Sequence, residues 1–224
     1  MAARLALLLG WLLPFSLPSF AQSLTISPSS FNFGSQVVAT SSNAKSATLT
    51  NTGTVQLTFT SIIASGDFSQ TNTCNTNILP GKKCTIKITF APTVLGARTG
   101  AITISDNAGN SPQTITLTGN GIAPASLSHT TLTFSNEIVG STSTAKSVTL
   151  TNNQSVSLNI SSIAASGDFA QTNTCGATVL AKGHCTISVT FTPTAVGTRT
   201  GEITITDDAS NSPQTVTLSG TGLA

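Results

Sequence analysis

Four cysteines, two histidines and seven acidic side chains are the groups in this 224-residue chain that could do redox, metal or acid–base chemistry. The cysteines fall as Cys74 with Cys84 and Cys175 with Cys185, each pair separated by nine residues. Four cysteines allow three pairings. The two pairs sit in two copies of one sequence unit, and each copy should fold alone, so Cys74–Cys84 and Cys175–Cys185 are the expected disulfides. Cys84 has the parity of Ile86 and Ile88, which aims its sulfur at a core. Closing so small a loop should stabilise each unit by about 2–3 kcal/mol in the chain-entropy account. A redox pair would call for C-x-x-C spacing, and zinc for a second cysteine or histidine pair; neither is present.

The remaining reactive groups form no constellation. His129 and His184 have Pro28 and Lys83 as their counterparts in the other copy. Without a histidine beside an activated Ser or Cys, a hydrolase triad has no general base. Asp67, Glu137, Asp168 and Glu202 are scattered, unlike the flanking carboxylates of a glycosidase. No catalysis and no cofactor are expected. Asp106, Asn107 and Asn110, with Asp207, Asp208 and Asn211, gather before the last strand of each copy. Calcium accepts such oxygen ligands, but the same residues form Asx turns, and the set is short of carboxylates. They are weak calcium candidates, and no metal site is assigned.

The elements that must hold these residues repeat. Residues 26–123 align with 127–224 without a gap at an offset of 101, with about half the positions identical. A period of this length is a whole domain rather than a solenoid unit. Within a copy, apolar residues alternate with polar ones: Ala47 and Leu49; Val55, Leu57 and Phe59; Ile86, Ile88 and Phe90; Ile102 and Ile104; Ile115 and Leu117. Period-two alternation marks strands with one face in a core. Turn signals at Asn51-Thr52-Gly53, Ser65-Gly66-Asp67, Pro80-Gly81 and Asp106-Asn107 separate them. About seven strands in a copy of this size predict an all-β chain of two tandem immunoglobulin-like sandwiches. Phe31, Phe33, Phe59, Phe68 and Phe90 should supply the large core side chains of the first copy. A short proline-containing link, residues 121–126, should hold the two copies as a fairly stiff pair.

The beginning of the chain reads as processing. Arg4 precedes an apolar run over residues 5–13, Pro14 and Pro18 follow, and Ser19 and Ala21 are small residues at cleavage-site spacing. This predicts a signal peptide over 1–21, domain 1 over 22–122 and domain 2 over 123–224. No later stretch is apolar enough to span a membrane. Charged residues are only 7% of the chain, and without Arg4 eight basic and seven acidic side chains remain. Nucleic-acid binding would need a dense basic patch that these cannot build. Sugar binding by an exported sandwich would use Trp or Tyr; the chain has no Tyr, and its one Trp, Trp11, lies in the leader.

The ordered motifs Phe33-Gly34-Ser35, Thr48-Leu49-Thr50-Asn51-Thr52-Gly53, Ser65-Gly66-Asp67-Phe68, Cys84, Phe90-Ala91-Pro92 and Leu117-Thr118-Gly119-Asn120-Gly121 resemble the bacterial choice-of-anchor D repeat. That repeat is similar to the abnormal-spindle/hydin (ASH) and major-sperm-protein class of immunoglobulin-like domains. The second copy departs at Ser135, where Gly34 is matched, and at Asn153 and Gln154, where Thr52 and Gly53 are; both departures are read as turn changes. The resemblance implies exported, repeated, non-catalytic domains and brings no catalytic residue with it.

The expected function is therefore that of an exported structural or interaction protein, periplasmic, cell-surface or extracellular, binding a protein or cell-envelope partner. The alternative is an accessory module that binds glycan or calcium beside a separate enzyme. Intact mass measurement of the exported protein should find no free thiol; four free thiols would remove the disulfide assignment.

Overall fold

The computed structural model describes residues 22–224; the signal-peptide reading of 1–21 lies outside them. Each copy is a sandwich of two sheets. In domain 1, β1 (Leu24–Ser27), β3 (Lys45–Asn51), β7 (Lys83–Phe90) and β5 (Phe68–Asn72) form the smaller sheet in the order β1-β3-β7-β5. The larger sheet runs β2-β9-β8-β4-β6, from β2 (Ser30–Val37), β9 (Gln113–Ile122), β8 (Gly96–Asp106), β4 (Leu57–Ala64) and β6 (Asn77–Ile78). All pairings are antiparallel except β2 with β9, which run parallel.

Domain 2 repeats the plan. Its smaller sheet is β10 (Ala125–Leu127), β13 (Lys146–Asn152), β17 (His184–Phe191) and β15 (Phe169–Asn173). Its larger sheet is β11 (Thr131–Thr133), β19 (Gln214–Leu223), β18 (Gly197–Asp207), β14 (Leu158–Ala165) and β16 (Thr178–Val179), with β12 (Glu137–Ile138) also on β19. The strands number nine and ten rather than about seven per copy. The extra ones are short: the entering segment divides between the two sheets as β1 and β2, and β6 pairs through only two residues.

Alternation and burial agree. Ala47, Leu49, Ile86, Ile88, Phe90, Ile102, Ile104, Ile115 and Leu117 are fully buried. Val55, which continues the alternation on paper, lies outside β4 because its carbonyl accepts from the Asn51 side chain. Of the five phenylalanines expected in the core, Phe68 and Phe90 are buried and stacked at 4.9 Å. Phe31, Phe33 and Phe59 are only partly buried and pack against the cluster. Phe169 and Phe191 repeat the stack at 4.9 Å. The backbone of β9 lies directly on the Phe90 ring: a Cβ on Gly119 would stand 2.5 Å from a ring carbon. Only glycine fits there.

Ser135 affects a strand, not a turn as its sequence context indicates. In domain 1, Gly34 adopts φ +70°, its N–H donates to Asn32 Oδ1 at 2.8 Å, and the bulged β2 resumes pairing at Ser35. A left-handed φ costs an L-residue with a side chain. With Ser135 in that place, pairing to β19 stops at Thr133 and restarts at Glu137.

Asn51 is the polar centre of each domain's entry end. It is fully buried. Its Nδ2 donates to Val55 O at 2.8 Å and Ile78 O at 2.9 Å, and its Oδ1 accepts from Gly53 N at 2.9 Å. Asn152 makes the same set with Val156, Val179 and Gln154. The link between domains is shorter than expected, because β9 continues to Ile122 and β10 starts at Ala125. Pro124 is buried and its carbonyl accepts from Asn153 N at 2.8 Å.

Asn51→Ala should cost about 1–3 kcal/mol, the penalty for leaving buried carbonyls unpaired. Urea unfolding of N51A checks this, with the exposed Thr52→Ala as the control expected to change little.

Candidate functional site

Both expected disulfides form, Cys74–Cys84 and Cys175–Cys185, with Cα separations of 5.0 and 4.8 Å. Among the described residues no cysteine is free. Cys84 and Cys185 are buried, as their parity required. Each bridge extends a ladder beyond its last paired residue: Asn72 Oδ1 accepts from Cys74 N, and Thr73 N donates to Thr85 O. The cysteine loop is a fastener between β5 and β7, and in domain 2 His184 stands next to the bridged Cys185.

The acid that seemed isolated in the sequence has a partner 31 residues away. Asp67 Oδ2 meets Arg98 Nε at 2.5 Å, and Asp168 meets Arg199 at the same distance. Thr93 donates to Asp67 through its hydroxyl at 2.9 Å and its backbone N–H at 3.3 Å. Asp67 O also accepts from Ala91 N. One carboxylate thus ties the turn before β5 to the loop after β7 and to β8. Gly66 makes this turn possible: its φ is +67°, and a Cβ would lie 2.7 Å from Thr99 O. The Arg98 guanidinium holds the Asp67 carboxyl below its ordinary value. Arg199, then the Thr194 N–H, bring Asp168 down to about 2. The repeated Arg98 and Arg199 were the sequence signal for this pair; topology, not spacing, brings them to the aspartates.

Most of the calcium candidates bond the protein's own backbone and side chains. Asp106 Oδ1 accepts from Ala108 N at 2.7 Å and Asn110 Nδ2 donates to Leu24 O at 3.2 Å. Asn107 Oδ1 accepts from Thr58 N at 2.9 Å. In domain 2, Asp207 Oδ1 accepts from Ala209 N, Asn211 Nδ2 donates to Ala125 O, and Asp208 accepts from Asn159 through backbone and side chain. The Asn159 N–H and amide hold the Asp208 carboxyl below its ordinary value. Asp207 Oδ2 and Gln214 Oε1 are buried without partners. His129 pairs only with the neighbouring Ser128 hydroxyl, at 3.0 Å. Among the described residues no three His, Cys, Asp or Glu side chains gather as a metal site. These side chains cap turns and close the sandwich around its first strand.

Most large exposed apolar side chains lie at the sandwich ends, while Ile63, 60% exposed, stands within β4 opposite Thr103. The Asn51 end carries Leu79, 54% exposed, and its domain 2 counterpart Leu180, 73% exposed. The opposite end carries Val94 and Leu95 in domain 1, with Ile138 and Val196 in domain 2. The strand edges are less open. Gln70 Nε2 crosses the corner between β5 and β4 to donate to Ile62 O at 2.9 Å, and Gln171 does the same to Ile163 O at 2.8 Å.

A carboxyl whose folded value lies below its unfolded one adds stability that is complete above the unfolded value and lost as pH falls through the folded one. For Asp168 that window runs from 3.8 down to about 2. The thermal midpoint should therefore fall as the solution is acidified through this range. Asp168→Asn should be less stable at neutral pH and lose less across the window, measured by thermal melts at stepped pH.

Comparison with known proteins gives two family matches, one after the other along the chain. Residues 22–120 match the HYDIN/CFA65/VesB-like Ig-like domain, and residues 123–223 match Cep192 domain 4. No curated protein matches the chain in sequence. Among solved structures, a protein of unknown function from Porphyromonas gingivalis W83 is 10% identical at TM-score 0.39, over 88% of this chain and 99% of that one. The ASH/PapD-like domain 7 of human CEP192 is 14% identical at TM-score 0.37, over 45% of this chain and 86% of that one. The Vibrio cholerae VesB protease is 11% identical at TM-score 0.37, over 76% of this chain and 63% of that one. The chain thus carries two immunoglobulin-like domains in tandem, the first matching the HYDIN/CFA65/VesB-like model and the second that of Cep192 domain 4.

Proposed function

We propose that this is an exported, non-enzymatic interaction protein whose two ASH-like domains bind a protein or cell-envelope partner through their loop ends. The observation that carries the reading is the distribution of exposed apolar side chains. Single surface hydrophobics are ordinary, but Leu79, Val94, Leu95, Ile138, Val156 and Leu180 all stand on the loops or last rungs at the two ends, each more than half exposed. Gln70 and Gln171 cap the β4–β5 corners, so an added strand is the less favoured mode there.

Export is supported by the two disulfides, which persist in oxidising compartments: periplasm, cell surface or extracellular space. No helix among the described residues is long and apolar enough to cross a membrane. The accessory reading, glycan or calcium binding beside a separate enzyme, has less to stand on, since the candidate oxygens already cap turns.

Affinity capture from the native cell envelope with tagged protein should retain a specific protein partner. Leu79→Asp combined with Leu180→Asp should release it with the fold intact. Retention on polysaccharide alone would sink the proposal.

A further inference from the structure

We infer that the cleft between the two domains binds an acidic segment of a protein partner, with Lys182 receiving a carboxylate. The inference rests on the interaction reading above and names the chemistry of the segment bound. It starts from the second copy's departures from the first. Asn153, Gln154 and Lys182 stand where the first copy has Thr52, Gly53 and Gly81. All three line one cleft of about 470 Å³, whose facing wall includes Gln36, Thr40 and Asn43 of domain 1. Departures that read as separate turn changes in the sequence thus meet at one place.

Lys182 stands there at a conformational cost. Its φ is +59°, in the left-handed region that its counterpart Gly81 occupies at +71°. A side chain is strained in that region, and strain of this kind gathers at binding sites and other functional points. Among the described residues Ala39 alone shares it, at φ +62°, where the other copy has Gly140 at +84°. Ala39 lies between Val37 and Thr40 of the facing wall. Lys182 Nζ donates to Asn153 O at 2.5 Å. An ammonium has three donors, so two remain for a ligand. The long side chain is already held, which lowers the ordering cost of using it.

The other groups on the walls suit the same ligand. Among the described residues no carboxylate lines the cleft, and Lys182 belongs to neither ion pair. Asn43 and Gln154 bond the rest of the described chain only through their backbones, which leaves both side-chain amides for a peptide backbone. Val156, on the same wall as Lys182, is 61% exposed and offers contact to an apolar neighbour of the acid. The lining has no aromatic ring on which a sugar could stack. One cation, two unspent amides and an exposed valine together fit a stretch in which acidic and apolar residues alternate. Charge complementarity of this kind selects a partner more than it tightens the complex.

Titrating the isotope-labelled protein with a hexapeptide of alternating glutamate and valine, followed by NMR, tests this. The side-chain amide signals of Asn43 and Gln154 should shift, and less so at high salt. The same peptide with glutamine for glutamate should bind about fivefold more weakly or worse. Lys182→Gly, which restores the glycine of the first copy, should not lower the thermal midpoint yet should weaken the acidic peptide about as much. Lys182→Arg should retain it. Equal affinity for the two peptides, no shift at millimolar peptide, or unchanged affinity in Lys182→Gly overturns the inference. Preference for an oligogalacturonate of the same charge overturns it as well. If the acidic peptide fails while the protein still captures an envelope partner, the inference falls and the broader reading stands. A Lys182-dependent acidic site in a protein that captures no partner supports the inference and counts against that reading.

Discussion

A buried asparagine amide holds three chain segments together in each domain. Asn51 leaves water entirely, which is costly unless its donors and acceptor are met. They are met by the carbonyls of Val55 and Ile78 and by the N–H of Gly53. The turn after β3, the start of β4 and the end of β6 are thereby fixed at once. The disulfide works nearby on a different pair of strands, joining the end of β5 to the start of β7. Arginine and aspartate then anchor the opposite end of β5. The chain thus meets its structural needs largely with amides and hydroxyls, as its 7% content of charged residues requires.

Sheet membership was legible because alternation carries it. Leu49, Ile86, Ile88, Ile102, Ile104, Ile115 and Leu117 point inward as their parity dictates, and a repeat of whole-domain length leaves little room for another fold. Cysteine parity was equally informative. Strand number was less so, since two-residue pairings such as β6 with β4 leave no periodic trace. The degree of burial of Phe31, Phe33 and Phe59 was also hidden: they lie on outer strands of the larger sheet or beside its bulge, where one side of the ring stays near water. The Asp67–Arg98 pair could not be read from spacing, because only the packing of the turn before β5 against β8 brings residues 31 apart together. Asn51 was visible as a repeated turn residue, but its buried role depends on where Ile78 comes to lie.

The candidate cation residues show how the same side chains can serve two chemistries. A calcium loop turns several oxygens toward one point. Here Asp106 and Asp207 turn back onto their own backbones, while Asn110 and Asn211 reach across to the carbonyls of Leu24 and Ala125. The residues close the sandwich around its first strand. Surfaces left free of such duties include the apolar loop ends.

The parallel pairing of β2 with β9 gives the pair a mechanical asymmetry. Tension pulling the entry of β2 away from the exit of β9 acts along both strands in opposite senses, so their hydrogen bonds share the load in shear instead of parting one by one. In domain 1 this zipper breaks between Asn32 and Ser35 and runs on to Val37. In domain 2 the break is one residue wider, from Thr133 to Glu137, and the zipper runs on to Ile138. Under stretch, six parallel rungs in domain 1 act in series with five in domain 2.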